Sequence, residues 1–173
     1  DAKEDDNWLY MPALRKVKRI ASSNKKNSFM GSDFSYHDMN GLNISEWEFK
    51  FAKKKTAVID GQECWVIDSQ PRKDIRAQVI KDTDYKRRRA WIRKDNFMAV
   101  QVKILMKKRG RIKVLKVKDI KKIQNIWTAH HLEMTTYQNK KMYHRTILLF
   151  NNIVYNKGVD EKMFTTQWMQ RGL

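Results

Sequence analysis

The sequence predicts a mainly β protein with short helices, an α+β fold built on one large antiparallel sheet. Three observations predict it. Apolar and polar residues alternate with period two over long stretches, turn signals separate those stretches, and only two short regions break the alternation.

The first strands are Trp8-Leu9-Tyr10-Met11 and Arg15 to Ile20, turning around Pro12. Ser32 to Asn40, closed by Gly41, breaks the pattern and reads as a short helix with Ser32 as its N-cap. Glu48 to Lys53, Ala57-Val58-Ile59 and Glu63 to Ser69 follow as strands, with Asp60-Gly61 as a hairpin turn. Arg88 to Lys94 adds another. Met98, Val100, Val102, Ile104 and Met106 then share one face of a strand, while Ala99, Gln101, Lys103, Leu105 and Lys107 share the other. Lys108-Arg109-Gly110 turns the chain, and Arg111 to Lys118 returns. There Ile112 and Val114 are in phase but Leu115 and Val117 are not, so a bulge near Val114 or burial on both faces is expected. Leu132 to Tyr137, a turn over Gln138 to Lys141, and Met142 to Phe150 form the last hairpin. Thr146 to Phe150 is apolar on both faces, so cover is expected on both sides. Asp160 to Gln170 places Phe164 and Trp168 four apart, as in an amphipathic helix. No internal repeat or linker appears, so residues 1–173 are expected to form a single domain. Trp8 begins a strand pattern almost at the terminus, which leads us to expect that upstream strands and a helix are missing.

Lys and Arg number 37 against 19 Asp and Glu, a formal net charge of 37 − 19 = +18. Such a charge attracts polyanions, either nucleic acid or an anionic membrane surface, or else it solvates an ordinary surface. At 41% apolar and 11% aromatic, the chain can bury a core. Its clean apolar runs, such as Ile147-Leu148-Leu149-Phe150, fall far short of the ~18 residues of a spanning helix. It opens on Asp1-Ala2-Lys3-Glu4-Asp5-Asp6, so no secretory signal stands within it. The single Cys64, in Glu63-Cys64-Trp65-Val66, reads as a buried, inert thiol.

Catalysis finds no support. Ser35, His37 and Asp38 are close in sequence, but neighbours on a helix point apart and do not make a triad. His130 and His131 are consecutive in a strand, face opposite sides and cannot share a metal. No phosphate loop is present, and no cofactor, metal or catalytic residue is expected. Basic clusters at Lys53-Lys54-Lys55, Lys86 to Arg89, Lys107 to Arg109 and Lys116 to Lys122 suit a nucleic-acid-binding β-sheet module. This is the alternative function, and it lacks any recognition signature.

Two early segments carry a more specific signal. Trp8 to Ile20 is followed by Ser28-Phe29-Met30-Gly31-Ser32-Asp33-Phe34-Ser35-Tyr36-His37-Asp38-Met39. Together they resemble the outer-membrane lipoprotein-sorting proteins of the LolA-like superfamily, in the branch associated with lipid-exporting permeases. The match continues through Cys64 to Ile67, Trp91 to Phe97, Ile126 to Ala129 and Phe164-Thr165. His37, where the family usually has an acidic residue, and the high lysine content depart from it.

The resemblance implies a curved antiparallel sheet forming an open half-barrel over a helical plug or lid, as in LolA and LolB. It implies a non-enzymatic periplasmic carrier or chaperone that binds lipid or lipoprotein acyl chains in an apolar cavity. Its implied partners are those acyl chains, an inner-membrane lipid permease and an anionic membrane surface. Phe29, Met30, Phe34, Tyr36 and Met39 become lid candidates. Trp8, Tyr10, Met98, Val100, Val102, Ile104, Leu132 and Met134 become cavity candidates.

Overall fold

A computed structural model describes residues 7–11, 14–20 and 25–171. The acidic lead Asp1 to Asp6, together with Pro12 and Ala13, lies outside the described residues. The chain opens with a two-stranded antiparallel hairpin, β1 (Asn7–Met11) and β2 (Lys16–Ile20), against which the C-terminal helix α3 (Thr166–Arg171) lies. A short helix α1 (Tyr36–Asn40) precedes the main sheet, whose seven strands run β3 (Trp47–Ile59), β4 (Gln62–Pro71), β5 (Tyr85–Arg93), β6 (Ala99–Met106), β7 (Arg111–Ile123), β8 (Ile126–Gln138) and β9 (Lys141–Leu149). Helix α2 (Arg76–Thr83) joins β4 to β5.

Every pairing in the large sheet joins sequence neighbours in antiparallel register. The turns explain why. Asp60-Gly61, Gln124-Asn125 and Asn139-Lys140 all have positive φ at both residues, the hairpin geometry whose twist matches that of the flanking strands. Gly110 has φ +73° in the β6–β7 turn, and a Cβ there would run into the Asn139 side chain. In β3 the register shifts between Phe51 and Thr56, leaving Lys53-Lys54-Lys55 outside the ladder as an exposed bulge.

Facing residues in successive strands share one side of the sheet. One side therefore carries the rows Ser69, Arg88, Ile104, Lys113, Thr136, His144 and Ile67, Ala90, Val102, Leu115, Met134, Thr146. The core lies on this side, where Trp47, Tyr85, Val102 and Ile104 pack with Val79 of α2.

Several expectations are corrected. The sheet is not a curved half-barrel. It is neither curled nor closed, and among the described residues β3 pairs only with β4 and β9 only with β8. No helical plug fills a barrel; α1 and α2 instead pack on one side of an open sheet. The phase slip in β7 is not a bulge, since its register is unbroken from Arg111 to Lys118. Both of its faces are partly covered instead, with Lys113 buried and Val114 and Leu115 half-buried. Thr146 to Phe150 is not covered on both sides. Ile147 and Leu149 are exposed, because β9 is an edge strand and they lie on its open side. The helix expected from Ser32 begins at Tyr36, with Ser35 as its cap.

Candidate functional site

The Ser28–Asn40 segment crosses the core side of the sheet from β5 to β9. Its first half is a tight turn: Phe29 N–H donates to Phe34 O at 2.7 Å and Ser32 N–H to Phe29 O at 2.9 Å. Met30 and Gly31 both have positive φ there. The Phe29 and Tyr36 rings meet edge to face with centroids 5.5 Å apart. The turn delivers Asp33, Phe34 and Ser35 into the interior as three consecutive buried residues.

Asp33 is the outer anchor. Its carboxylate accepts from Thr136 Oγ1 at 2.5 Å and Thr146 Oγ1 at 2.8 Å, and it lies 2.6 Å from His144 Nδ1. Its backbone N–H donates to Thr146 Oγ1 at 2.9 Å. Asp38 is the inner anchor. It closes a capping box with Ser35, accepting from the Ser35 N–H at 2.8 Å and Oγ at 2.9 Å. Tyr85 OH donates to both its oxygens, at 2.9 and 2.8 Å, and Lys113 Nζ stands 3.8 Å away.

Burial, and then the Asp38 charge, hold the Tyr85 hydroxyl well above its ordinary pKa, so it stays a donor. Burial pulls Lys113 down, against Asp38 and Asp33, which favour its charge. His37 packs edge-on to the Tyr85 ring and is also lowered by burial. A buried carboxylate, Asp33, and a half-buried one, Asp38, thus fasten the segment to four strands, β5, β7, β8 and β9, while α1 itself buries no residue.

Of the lid candidates, Phe34 is buried, Phe29 and Tyr36 are half-buried, and Met30 and Met39 are exposed. Val102, Ile104 and Met134 are buried beneath the same side; Met98, Val100 and Leu132 are half-buried. Trp8 and Tyr10 stand apart from them in the β1–β2 hairpin. Sequence reasoning missed Asp33, Tyr85, Lys113, Thr136, His144 and Thr146. The one local signal was the Ser35-x-x-Asp38 spacing of a capping box. Among the described residues, no group of His, Cys, Asp or Glu is placed to hold a metal ion.

A family model described as "Uncharacterized protein" matches residues 1–171. The chain belongs to that family. No curated protein matches it. Its structure is similar to three solved structures. A domain from Vibrio parahaemolyticus, provisionally named an outer membrane lipoprotein-sorting protein, superposes with TM-score 0.80 at 29% identity, over 98% of this chain and 67% of that one. A DUF1329 family protein from Desulfovibrio piger gives 0.81 at 28% identity, over 97% and 66%. A LolA superfamily protein from Nitrosomonas europaea shares the fold, with TM-score 0.56 at 14% identity over 94% and 67%. The chain spans about two thirds of the length of each.

Proposed function

We propose that the protein is a non-enzymatic carrier of the periplasm that binds lipid or lipoprotein acyl chains between the Ser28–Asn40 segment and the apolar side of its sheet. The observation that carries this reading is the way the segment is held. It lies on the same side of the sheet as Val102, Ile104 and Met134, and polar bonds from Asp33 and Asp38 fasten it there, with Phe34 as its one buried large apolar side chain. Hydrogen bonds of this kind break and re-form without exposing a large apolar area, so the segment can lift while the strands stay paired. The names of the similar structures support the same reading.

A magnitude limits how such a carrier works. Burying acyl chain gains ~0.8 kcal/mol per CH₂, on the order of 10 kcal/mol for one long chain, and a bilayer offers the same gain. Loading and release therefore need partners on either side, and an inner-membrane lipid permease is the donor or acceptor we propose.

The test is fluorescence titration with cis-parinaric acid, alone and with hydrogen exchange. Saturable uptake at micromolar protein is expected, with a change in exchange confined to residues 28–40. Phe34→Asp sets a charge against the apolar side and weakens retention while the sheet stays folded. Absence of saturable uptake overturns the carrier reading. Global unfolding of Phe34→Asp, or unchanged exchange at 28–40 on lipid binding, makes the segment permanent core.

A further inference from the structure

The opposite side of the same sheet carries an open groove of about 800 Å³. Its middle row runs Lys50, Asp68, Arg89, Lys103 across β3 to β6, each residue facing the next in register. The next row holds Arg87, Leu105 and Ile112, and Trp91 stands on the other flank. Only part of this charge is neutralised. Arg89 grips Asp68 with two bonds of 2.6 and 2.9 Å, and Glu48 accepts from Gln70 at 3.3 Å. Among the described residues, no carboxylate forms a close ion pair with Lys50, Arg87 or Lys103, although Lys50 and Arg87 act on the Asp68 carboxylate from further off. Leu105 is 40% exposed beside them although it lies within β6, an inner strand of the sheet.

Neighbouring rows on one side of a strand lie two residues apart, ~7 Å. The groove therefore sets unneutralised cations within one short molecular length of an apolar strip. That pattern matches an amphiphile whose anion lies only a few bonds from its chain, as a phosphate does across the glycerol of a phospholipid. Stacking of nucleic-acid bases needs several exposed aromatic faces, whereas the groove is lined by two aromatic residues, a half-buried Trp91 and an exposed Phe49 at the β3 edge.

We propose that this groove binds the phosphate head group of an anionic phospholipid, with the first carbons of an acyl chain lying on Leu105 and Ile112. The inference rests on the carrier reading for its choice of a lipid, and it deepens that reading by naming the head-group chemistry and a second face for it.

The test uses the whole chain and soluble, monomeric dihexanoyl phosphatidylglycerol, followed by titration calorimetry. Dihexanoyl phosphatidylcholine and glycerol 3-phosphate are the comparison ligands. Phosphatidylglycerol is expected to bind most tightly. Replacing both Arg87 and Lys103 by Glu lowers its affinity on the order of tenfold or more, with cis-parinaric uptake unchanged. Leu105→Gln weakens phosphatidylglycerol but leaves glycerol 3-phosphate unaffected, which separates the chain contact from the charge.

Four results overturn the site: unchanged affinity in the charge variant, equal binding of phosphatidylcholine, equal binding of glycerol 3-phosphate, or binding to phosphatidylglycerol vesicles but not to monomers. Displacement of the lipid by a single-stranded oligonucleotide at physiological salt overturns it in favour of nucleic acid. If cis-parinaric acid fails to bind while the charge variant still loses phosphatidylglycerol, the groove stands and the proposed acyl-chain site falls.

Discussion

Two short elements lie on the same side of the main sheet and are held there by different forces. Helix α2 presents Val79 to a cluster of Trp47, Tyr85, Val102 and Ile104, and its only buried polar side chain, Thr83, bonds within the helix to Val79 O at 2.7 Å. The Ser28–Asn40 segment instead reaches the strands through the carboxylates of Asp33 and Asp38. Apolar burial is non-directional and is lost only when area is exposed, whereas a hydrogen bond is lost with a small displacement that admits water. An element fastened in the second way can leave its strands at modest cost. One fastened in the first way leaves only with the core.

Substitutions can break this comparison. Val79→Asp has the largest expected effect: an unpaired charge in the core costs several kcal/mol, and a urea melt should show one cooperative transition moved far down. Loss of α2 alone, with the sheet intact, removes the contrast. Asp33→Ala comes next, at about 2–4 kcal/mol, because Thr136, Thr146 and His144 all lose their acceptor. Its loss should be local. Hydrogen exchange rises at residues 28–40 while β6 to β8 stay protected.

Acid sharpens the comparison with a smaller effect. Burial lowers the His37 pKa from 6.5, against the charges of Asp38 and Glu46 and with those of Arg88 and Lys25. The unfolded state therefore binds the proton first. The stability contributed by neutral His37 is complete above pH 6.5 and is lost as pH falls through the lowered value. Exchange at 28–40 should rise between pH 7.5 and 5.5 before the strands respond.

The smallest effect belongs to Asp68→Asn on the open side, which removes a partly exposed pair with Arg89 and costs at most about 1 kcal/mol. The hydrogen bond from Arg89 holds the Asp68 carboxyl below 3.8, so this contribution is present at neutral pH and fades only as pH falls below the ordinary carboxylate range. A thermal melt at pH 7 and pH 3 checks both statements.

Local physics made much of the sheet readable. Asp60-Gly61 and Lys108-Arg109-Gly110 turn where expected, because the positive φ they adopt is set within two or three residues. Helix α2 was not readable: only Val79 and Thr83 are buried along it, and its N-cap, Ile75, makes no side-chain bond. The attachment of Asp33 was less readable still. Its partners lie 103 to 113 residues away, and nothing near Asp33 marks a carboxylate that will be buried. Nothing in the sequence around Lys113 distinguishes it from a solvated lysine, yet its register places it between Ile104 and Thr136 on the core side. Alternation identifies which residues share a side, but not which side a distant segment will cover. The half-barrel, taken from resemblance alone, failed because the sheet is neither curled nor closed, and among the described residues no pairing joins its borders, β3 and β9.

One of those borders has a consequence for how the molecule behaves in a crowd. Strand β3 shows two aromatic side chains to solvent, Phe49 and Phe51, at 45% and 53% exposure. A flat border of this kind is a template on which another chain can grow. The three lysines that follow Phe51 interrupt the ladder at that point. A second copy aligning antiparallel there would meet a broken run of donors and acceptors, and would set its own ammonium groups against the first. Growth halts after a few residues, so the protein can keep sticky side chains on show and remain a poor seed for fibrils.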